Sequence, residues 1–198
     1  MPDSPDAAAR PEPITPPASA TARPDQPEAH PPRGFVFWLS VAQLMSWGTL
    51  FYAFSLLLEH FERDLRLSRV DASLAFSLAL LVEGLLAFAV GRLIDNGRGR
   101  LVMVAGSLLA ALAFGSLAWV QSAWQLYAVW MVAGAAMAGC LYQPAFSILI
   151  RRYPEDYRRA IITLTFLGGL ASTVFIPLVA WLIAGFGWMT ALFSLAAV

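Results

Sequence analysis

Glu83 is the one charged side chain between Ser73 and Val90, an otherwise apolar run. It stands eight residues before Gly91, about 12 Å along a helix that rises ~1.5 Å per residue. If the run crosses a bilayer, that depth is near its middle. An ionised carboxylate there is expensive unless it is protonated, paired or facing a wet cavity. Two readings follow: proton coupling or ion coordination, or a neutral Glu hydrogen-bonded between helices.

A second group is spread over three other segments. Ser40, Gln43, Ser46, Thr49, Tyr52 and Ser55 fall at every third residue, a stripe that winds slowly around a helix so that successive members share one side. Gln43 and Trp47, one turn apart, with Tyr52 beyond, have the types to line a solute path. Helix-to-helix hydrogen bonding explains the same stripe. Further on, Gly139, Gln143 and Ser147 repeat at four-residue intervals beside Tyr142, and Thr165, Gly169, Ser172 and Thr173 do so more weakly. Tyr142 and Gln143 therefore join the candidate solute-binding residues.

The residues for bond-making chemistry are missing. His30 and His60 lie far apart and the lone Cys140 sits in an apolar stretch, which reads as a small core thiol. No metal-ligand cluster and no nucleophile-and-base arrangement emerges. No enzymatic activity and no cofactor is expected. The net formal charge is zero, so nothing points to a nucleic-acid partner.

These residues need long apolar elements to hold them. Of the 198 residues, 59% are hydrophobic, against roughly 45–50% in soluble domains, so the partner is a lipid bilayer. Crossing ~30 Å of hydrocarbon takes roughly 20 apolar residues. Five segments meet that length: about 35–58, 72–90, 101–120, 124–150 and 160–184. A sixth starts near Trp188 and reaches Val198, too short to span. The expectation is a fragment of a longer protein or an incomplete last helix. Residues 1–33 hold ten of the thirteen prolines and are expected to form a disordered cytoplasmic tail ahead of a helical domain over 34–198.

Arginine placement sets orientation. All thirteen basic residues are arginine, and Arg92, Arg98, Arg100, Arg151, Arg152, Arg158 and Arg159 fall in two turns that would share one side. Only Arg63, Arg66 and Arg69 fall opposite. The excess places the N-terminus in the cytoplasm and the chain in the inner (plasma) membrane. Trp38, Trp119, Trp124, Trp130, Trp181 and Trp188 are expected near span ends, as an interfacial belt. Ala135 with Gly139, Gly168 with Ser172 and Gly169 with Thr173 predict close helix packing. Pro144 and Pro177 predict kinks.

The turn itself, Gly91-Arg-Leu-Ile-Asp-Asn-Gly-Arg-Gly-Arg100, resembles the loop between the second and third helices of the major facilitator superfamily. Asn96 stands where that family has a basic residue, and Arg98-Gly99 stand in reversed order. Ser46-Trp-Gly-Thr-Leu-Phe-Tyr52, Leu141-Tyr-Gln-Pro-Ala-Phe146 and the stretch from Arg158 to Ser172 look like bacterial members of its monocarboxylate-porter-like branch. The fourth-helix and fifth-helix patterns of its drug-proton antiporters are not found, which argues against drug export.

The resemblance implies an all-α polytopic helix bundle, the N-terminal half of a transporter built from 3+3 inverted repeats, with the sixth helix truncated. It implies secondary active transport of a small polar solute, with a carboxylate as the class suggested by the branch, by alternating access around a central site. The partner would be the missing C-terminal half. Gly91, Asp95, Arg98 and Arg100 would form a gating loop, with Gly91 permitting close helix approach and Asp95 and Arg100 making and breaking contacts. Two other readings stay open: a non-transporting membrane scaffold or degenerate transporter remnant, and a half-size carrier that pairs with a second copy.

Overall fold

The computed structural model describes residues 33–197. The expected tail over 1–33 therefore lies outside the described residues, apart from Arg33, which opens the first helix. The described chain is almost wholly helical. Four apolar helical stretches are long enough to cross a membrane: Gly34–Asp64 (α1), Arg69–Leu117, Ala123–Arg152 (α4) and Tyr157–Phe186 (α5). Gly97 divides the second into α2 (Arg69–Leu93) and α3 (Gly99–Leu117) by taking φ 80°, a left-handed value that suits glycine. Gly187, also left-handed at φ 83°, makes the turn into α6 (Trp188–Ala196).

Local chemistry fixes the starts. The Ser68 hydroxyl accepts from the Asp71 backbone N–H at 3.2 Å and opens α2, and Ser122 does the same for Gln125 ahead of α4. Asp71 adds its charge in the favourable first turn. Both caps lie at the end of the bundle opposite the arginine-rich turns.

The helices alternate in direction. Phe76 and Ala79 of α2 meet Trp130 and Gly134 of α4, so these two run parallel. Gly106 and Phe114 of α3 meet Gly139 and Trp130, so α3 runs against α4. Val36 and Leu39 of α1 cluster with Ala160 and Leu164 of α5, and Gly48 lies under Phe175, making these two parallel. α6 packs on α3 and α5, with Trp119 and Phe193 edge to face at 6.1 Å.

The core centres on Trp130, which is 1% exposed and meets Phe54 edge to face at 4.7 Å, with Phe76 and Phe114 around it. Its expected place in an interfacial belt is thus corrected: eight residues into α4, it fills the space where α1, α2 and α3 converge. Trp38, Trp119, Trp124 and Trp181 are exposed. Outward faces carry Leu85, Phe88, Leu101, Leu108, Leu112, Ile162 and Phe166, all exposed. So large an apolar surface suits lipid.

Close approach occurs where helices present glycine. A Cβ at Gly134 would collide with the Ala79 carbonyl oxygen and stand 2.8 Å from its carbonyl carbon and Cα, and one at Gly106 would stand 2.8 Å from the Gly139 carbonyl carbon. α4 is therefore gripped on two sides by backbone. Of the expected Ala135–Gly139 pair, only Gly139 takes part at such short range. The other contact uses Gly134, on the opposite face.

Two of the long helices are interrupted. α4 breaks at Leu141, where ψ reaches −163°, three residues before Pro144, as the kink expected there requires. α5 breaks at Leu170, after Gly168-Gly169, and its second part, Ala171–Phe186, runs through Pro177 without ending. The interruption in α5 follows the glycine pair and not the proline.

Candidate functional site

The break in α4 explains Gln43. A helix uses the N–H of residue 144 to satisfy the carbonyl of residue 140, and Pro144 has no N–H. The Gln43 side-chain amide of α1 supplies the missing donor, Nε2 to the Cys140 carbonyl at 2.7 Å. Gln43 is fully buried, and its Oε1 has no hydrogen-bond partner. Its placement is that of a strut between α1 and α4, away from any open path. Ser40 is also fully buried and returns its hydroxyl to the Val36 carbonyl. Hydrogen bonding between helices thus accounts for Gln43, and bonding within α1 accounts for Ser40.

Immediately after Gln43 and Ser46, α1 widens. Trp47–Tyr52 forms a π-helical turn, closed by the Ala53 N–H on the Gly48 carbonyl. Such turns re-aim the side chains they carry and recur at functional sites. Here the turn delivers Trp47, Phe51 and Tyr52 to one half-buried surface. The Trp47 and Tyr142 rings lie 4.8 Å apart, Tyr142 stacks on Phe146 at 5.2 Å, and Phe51 lies 5.1 Å from Trp47 and 5.2 Å from Phe76. Tyr52 meets Phe51 edge to face at 5.6 Å.

The break at Leu141 positions Tyr142. Its ring lies over Gly168 of α5, where a Cβ would be 2.9 Å from ring carbon Cε1, and its hydroxyl points at the Thr165 carbonyl. The same break dissolves the expected Gly139–Gln143–Ser147 face. Gly139 is buried against Gly106, whereas Gln143 is exposed.

Glu83 borders this surface. It is half-buried on α2, two turns beyond Phe76 and one turn beyond Ala79 on the same side, and the Ala79 backbone abuts Gly134 of α4. Among the described residues no cation pairs with it, and no group of three His, Cys, Asp or Glu comes together that could hold a metal ion. Of the candidate residues, Trp47, Tyr52 and Tyr142 come together through their rings and Phe51, and Glu83 lies on α2 beyond Phe76. Gln143 lies at the margin, and Gln43 lies behind. Sequence reasoning missed Phe51, Phe76 and Phe146. The four-residue spacing of Trp47 to Phe51 and of Tyr142 to Phe146 is the signal that could have found two of them, and Phe76, on another helix, leaves none.

The Gly91–Arg100 turn forms a separate site at one end. Arg151, from the last turn of α4, donates to the Ile94 carbonyl at 3.0 Å and to the Asp95 carbonyl, and its guanidinium lies 4.0 Å from the Asp95 carboxylate. Arg152 lies over Phe35 at the start of α1. Both arginine-rich turns and the start of α1 therefore occupy the same end of the bundle. Arg98 and Arg100 are exposed. Arg100 borders a cavity of about 520 Å³ with Phe35, Leu39, Met103, Arg151 and Arg152. Gly91 has open space where a Cβ would be, so close approach falls instead to Gly99, which meets Ile148.

The sequence pattern of the Major Facilitator Superfamily matches residues 36–198, most of the chain. The chain belongs to this superfamily. It is a multi-pass membrane protein. It is similar to a protein of Aeromonas hydrophila subsp. hydrophila named "Multidrug resistance protein MdtH", 32% identical over 112 residues, which are 56% of this chain and 28% of that relative. The matched region thus spans under a third of the relative's length.

For a member of this superfamily the loop contact yields a sharp expectation. Arg151 caps the carbonyls just past the end of α2, and hydrogen bonds to charged groups contribute ~1.5–3 kcal/mol each, toward the low end here because the arginine is half exposed. The Asp95 carboxylate partner is exposed, and exposed ion pairs contribute only ~0–1 kcal/mol. Arg151→Ala should therefore lower the melting temperature in detergent by several degrees, and Asp95→Asn by far less. Equal losses would mean that the ion pair, and not the carbonyl cap, holds the turn.

Proposed function

We propose that this six-helix bundle is one of two bodies of a secondary active transporter that moves a small polar solute by alternating access. The observation that supports this most is the aromatic surface of Trp47, Phe51, Tyr52, Tyr142 and Phe146. It lies half-buried at the widened turn of α1 and the break of α4, among helices whose other faces are lipid-like. In a transporter, broken helices near the bilayer midplane are where solutes are held. A facing body, either further chain or a second copy, would close the site. Glu83 serves as the coupling group beside it, and the turn with Asp95, Arg98 and Arg100 acts as the gate at the cytoplasmic end. The arginine excess at that end supports a cytoplasmic N-terminus in the plasma membrane.

The fate of the solute class is set by charge. No arginine, lysine or histidine lies along the surface, so a carboxylate would need its countercharge from the facing body. The name of the Aeromonas relative refers to multidrug resistance, which is compatible with a surface of rings.

Cysteine labelling in intact cells tests the reading. Cys140 is buried, so introduced thiols are read cleanly. Asn96→Cys and Glu155→Cys should react with an impermeant maleimide from the same side only, whereas Gln143→Cys should react from either side at rates that solute changes. Labelling of positions 96 and 155 from opposite sides would overturn the topology, and one-sided labelling of position 143 would overturn alternating access.

A further inference from the structure

We propose, resting on the transporter reading above, that the solute held by this surface carries a positive charge: an organic cation received between the aromatic faces of Trp47 and Tyr142 and the carboxylate of Glu83.

Charge balance favours a cation. Along the apolar parts of α1, α2, α4 and α5, Glu83 is the one acidic or basic side chain, and among the described residues no cation is paired with it. A carboxylate deep in the hydrocarbon is held there only with a compensating group or a proton. An anionic solute would add a second negative charge to a region that has no positive one. A cationic solute would complete the missing pair.

Ring chemistry points the same way. Trp47, Phe51, Tyr142 and Phe146 form a continuous group with centroids 4.8 to 5.2 Å apart. The faces of such rings are electron-rich and attract cations, most strongly when water is excluded. Proximity to the carboxylate follows from shared neighbours. Ala79, one turn before Glu83 on the same side of α2, abuts Gly134 of α4, and the two helices run parallel, so Glu83 comes level with the part of α4 just before Tyr142. Phe76, on the same side of α2 as Glu83, packs against Phe51. The indole N–H of Trp47 is buried without a partner and is left for a hydrogen-bond acceptor elsewhere on the same solute.

Direct binding to the purified full chain in nanodiscs decides it, with ethidium as the fluorescent probe, tetraphenylphosphonium as a cationic competitor and benzoate as an anionic one. Saturable ethidium binding should be displaced by tetraphenylphosphonium and not by benzoate. Glu83→Gln should weaken it about tenfold or more, equivalent to at least ~1.4 kcal/mol. Glu83→Asp, which keeps the charge, should stay within about threefold of wild type, ~0.6 kcal/mol on the same scale. Trp47→Ala should weaken it about tenfold, and Trp47→Phe should restore most of that loss. Size-exclusion profiles matching wild type separate these effects from misfolding. Displacement by benzoate, no saturable binding, or binding indifferent to Glu83→Gln would each overturn the inference. None of those results touches alternating access, which the labelling of position 143 tests separately.

Discussion

Gly134→Ala should unfold this bundle far below the temperature of the wild type. The new methyl would lie 2.8 Å from the Ala79 carbonyl carbon and Cα, and those atoms are backbone, so no rotamer change relieves the clash. α2 and α4 must separate along their whole parallel contact. Overpacked cores typically lose ~1–3 kcal/mol when side chains can adjust, and a backbone obstacle puts this site at the upper end. At ~2–4 °C per kcal/mol for a chain of this size, the melting midpoint falls by about 6–12 °C. The protein contains its own reporter, because Cys140 is its single cysteine and is buried. A maleimide dye that fluoresces on reaction will report unfolding as that thiol emerges. Gly115→Ala is the matched control: α3 has open space there, and alanine is the better helix former, so its midpoint should hold or rise. Equal midpoints for the two variants would show that α2 and α4 do not depend on contact at Gly134.

That contact was half legible in the sequence. Small residues four apart announce close packing, and Gly139 obeys, but the rule does not say which neighbour each residue meets. Gly134 and Gly139, five apart, grip different helices on opposite faces of α4, a fact set by the arrangement of three helices and not by one. Trp130 was misplaced for the same reason. A tryptophan near the start of a span fits an aromatic belt, until α1, α2 and α3 converge on it. What could be read were features that one segment carries alone: apolar length, the paired arginine turns, and the helix break announced by Pro144. A kink was expected in α5 at Pro177, but the helix runs on through that residue and its interruption falls at Leu170, after two glycines that lower the stiffness of a whole turn.

The site shows the same division. Glu83 stood out because a charge among apolar neighbours is visible in one dimension. Tyr142 and Trp47 were found, but the π-helical turn that aims Trp47 leaves no mark in residue spacing. The stripe Gly139–Gln143–Ser147 assumed a straight helix, and the change of direction at Leu141 sent its members to different surroundings. Gln43 was the instructive case. Its polarity invited a role in solute contact, yet the more pressing demand on it came from Pro144, about a hundred residues away, which strips a carbonyl of its donor.

That dependence predicts a specific non-additivity. Gln43→Leu leaves the Cys140 carbonyl buried without a donor, at a cost of ~1–3 kcal/mol, so its midpoint should fall by several degrees. Pro144→Ala restores a backbone N–H at the position that reaches that carbonyl in a regular helix, and should by itself hold or raise stability. In the double variant Gln43→Leu/Pro144→Ala the loss should largely vanish, a coupling of at least ~1 kcal/mol between residues that are not neighbours in sequence. Simple additivity would show that Gln43 does not serve the Cys140 carbonyl. Function should move the other way. Straightening α4 withdraws the bend that lays Tyr142 over Gly168 and against Trp47, so under the transport proposed above the double variant should be folded, melt near the wild type, and yet move solute no better than background. A stable double variant that still transports would mean that the break at Leu141 is an architectural accident, and that the solute is held somewhere other than the aromatic surface.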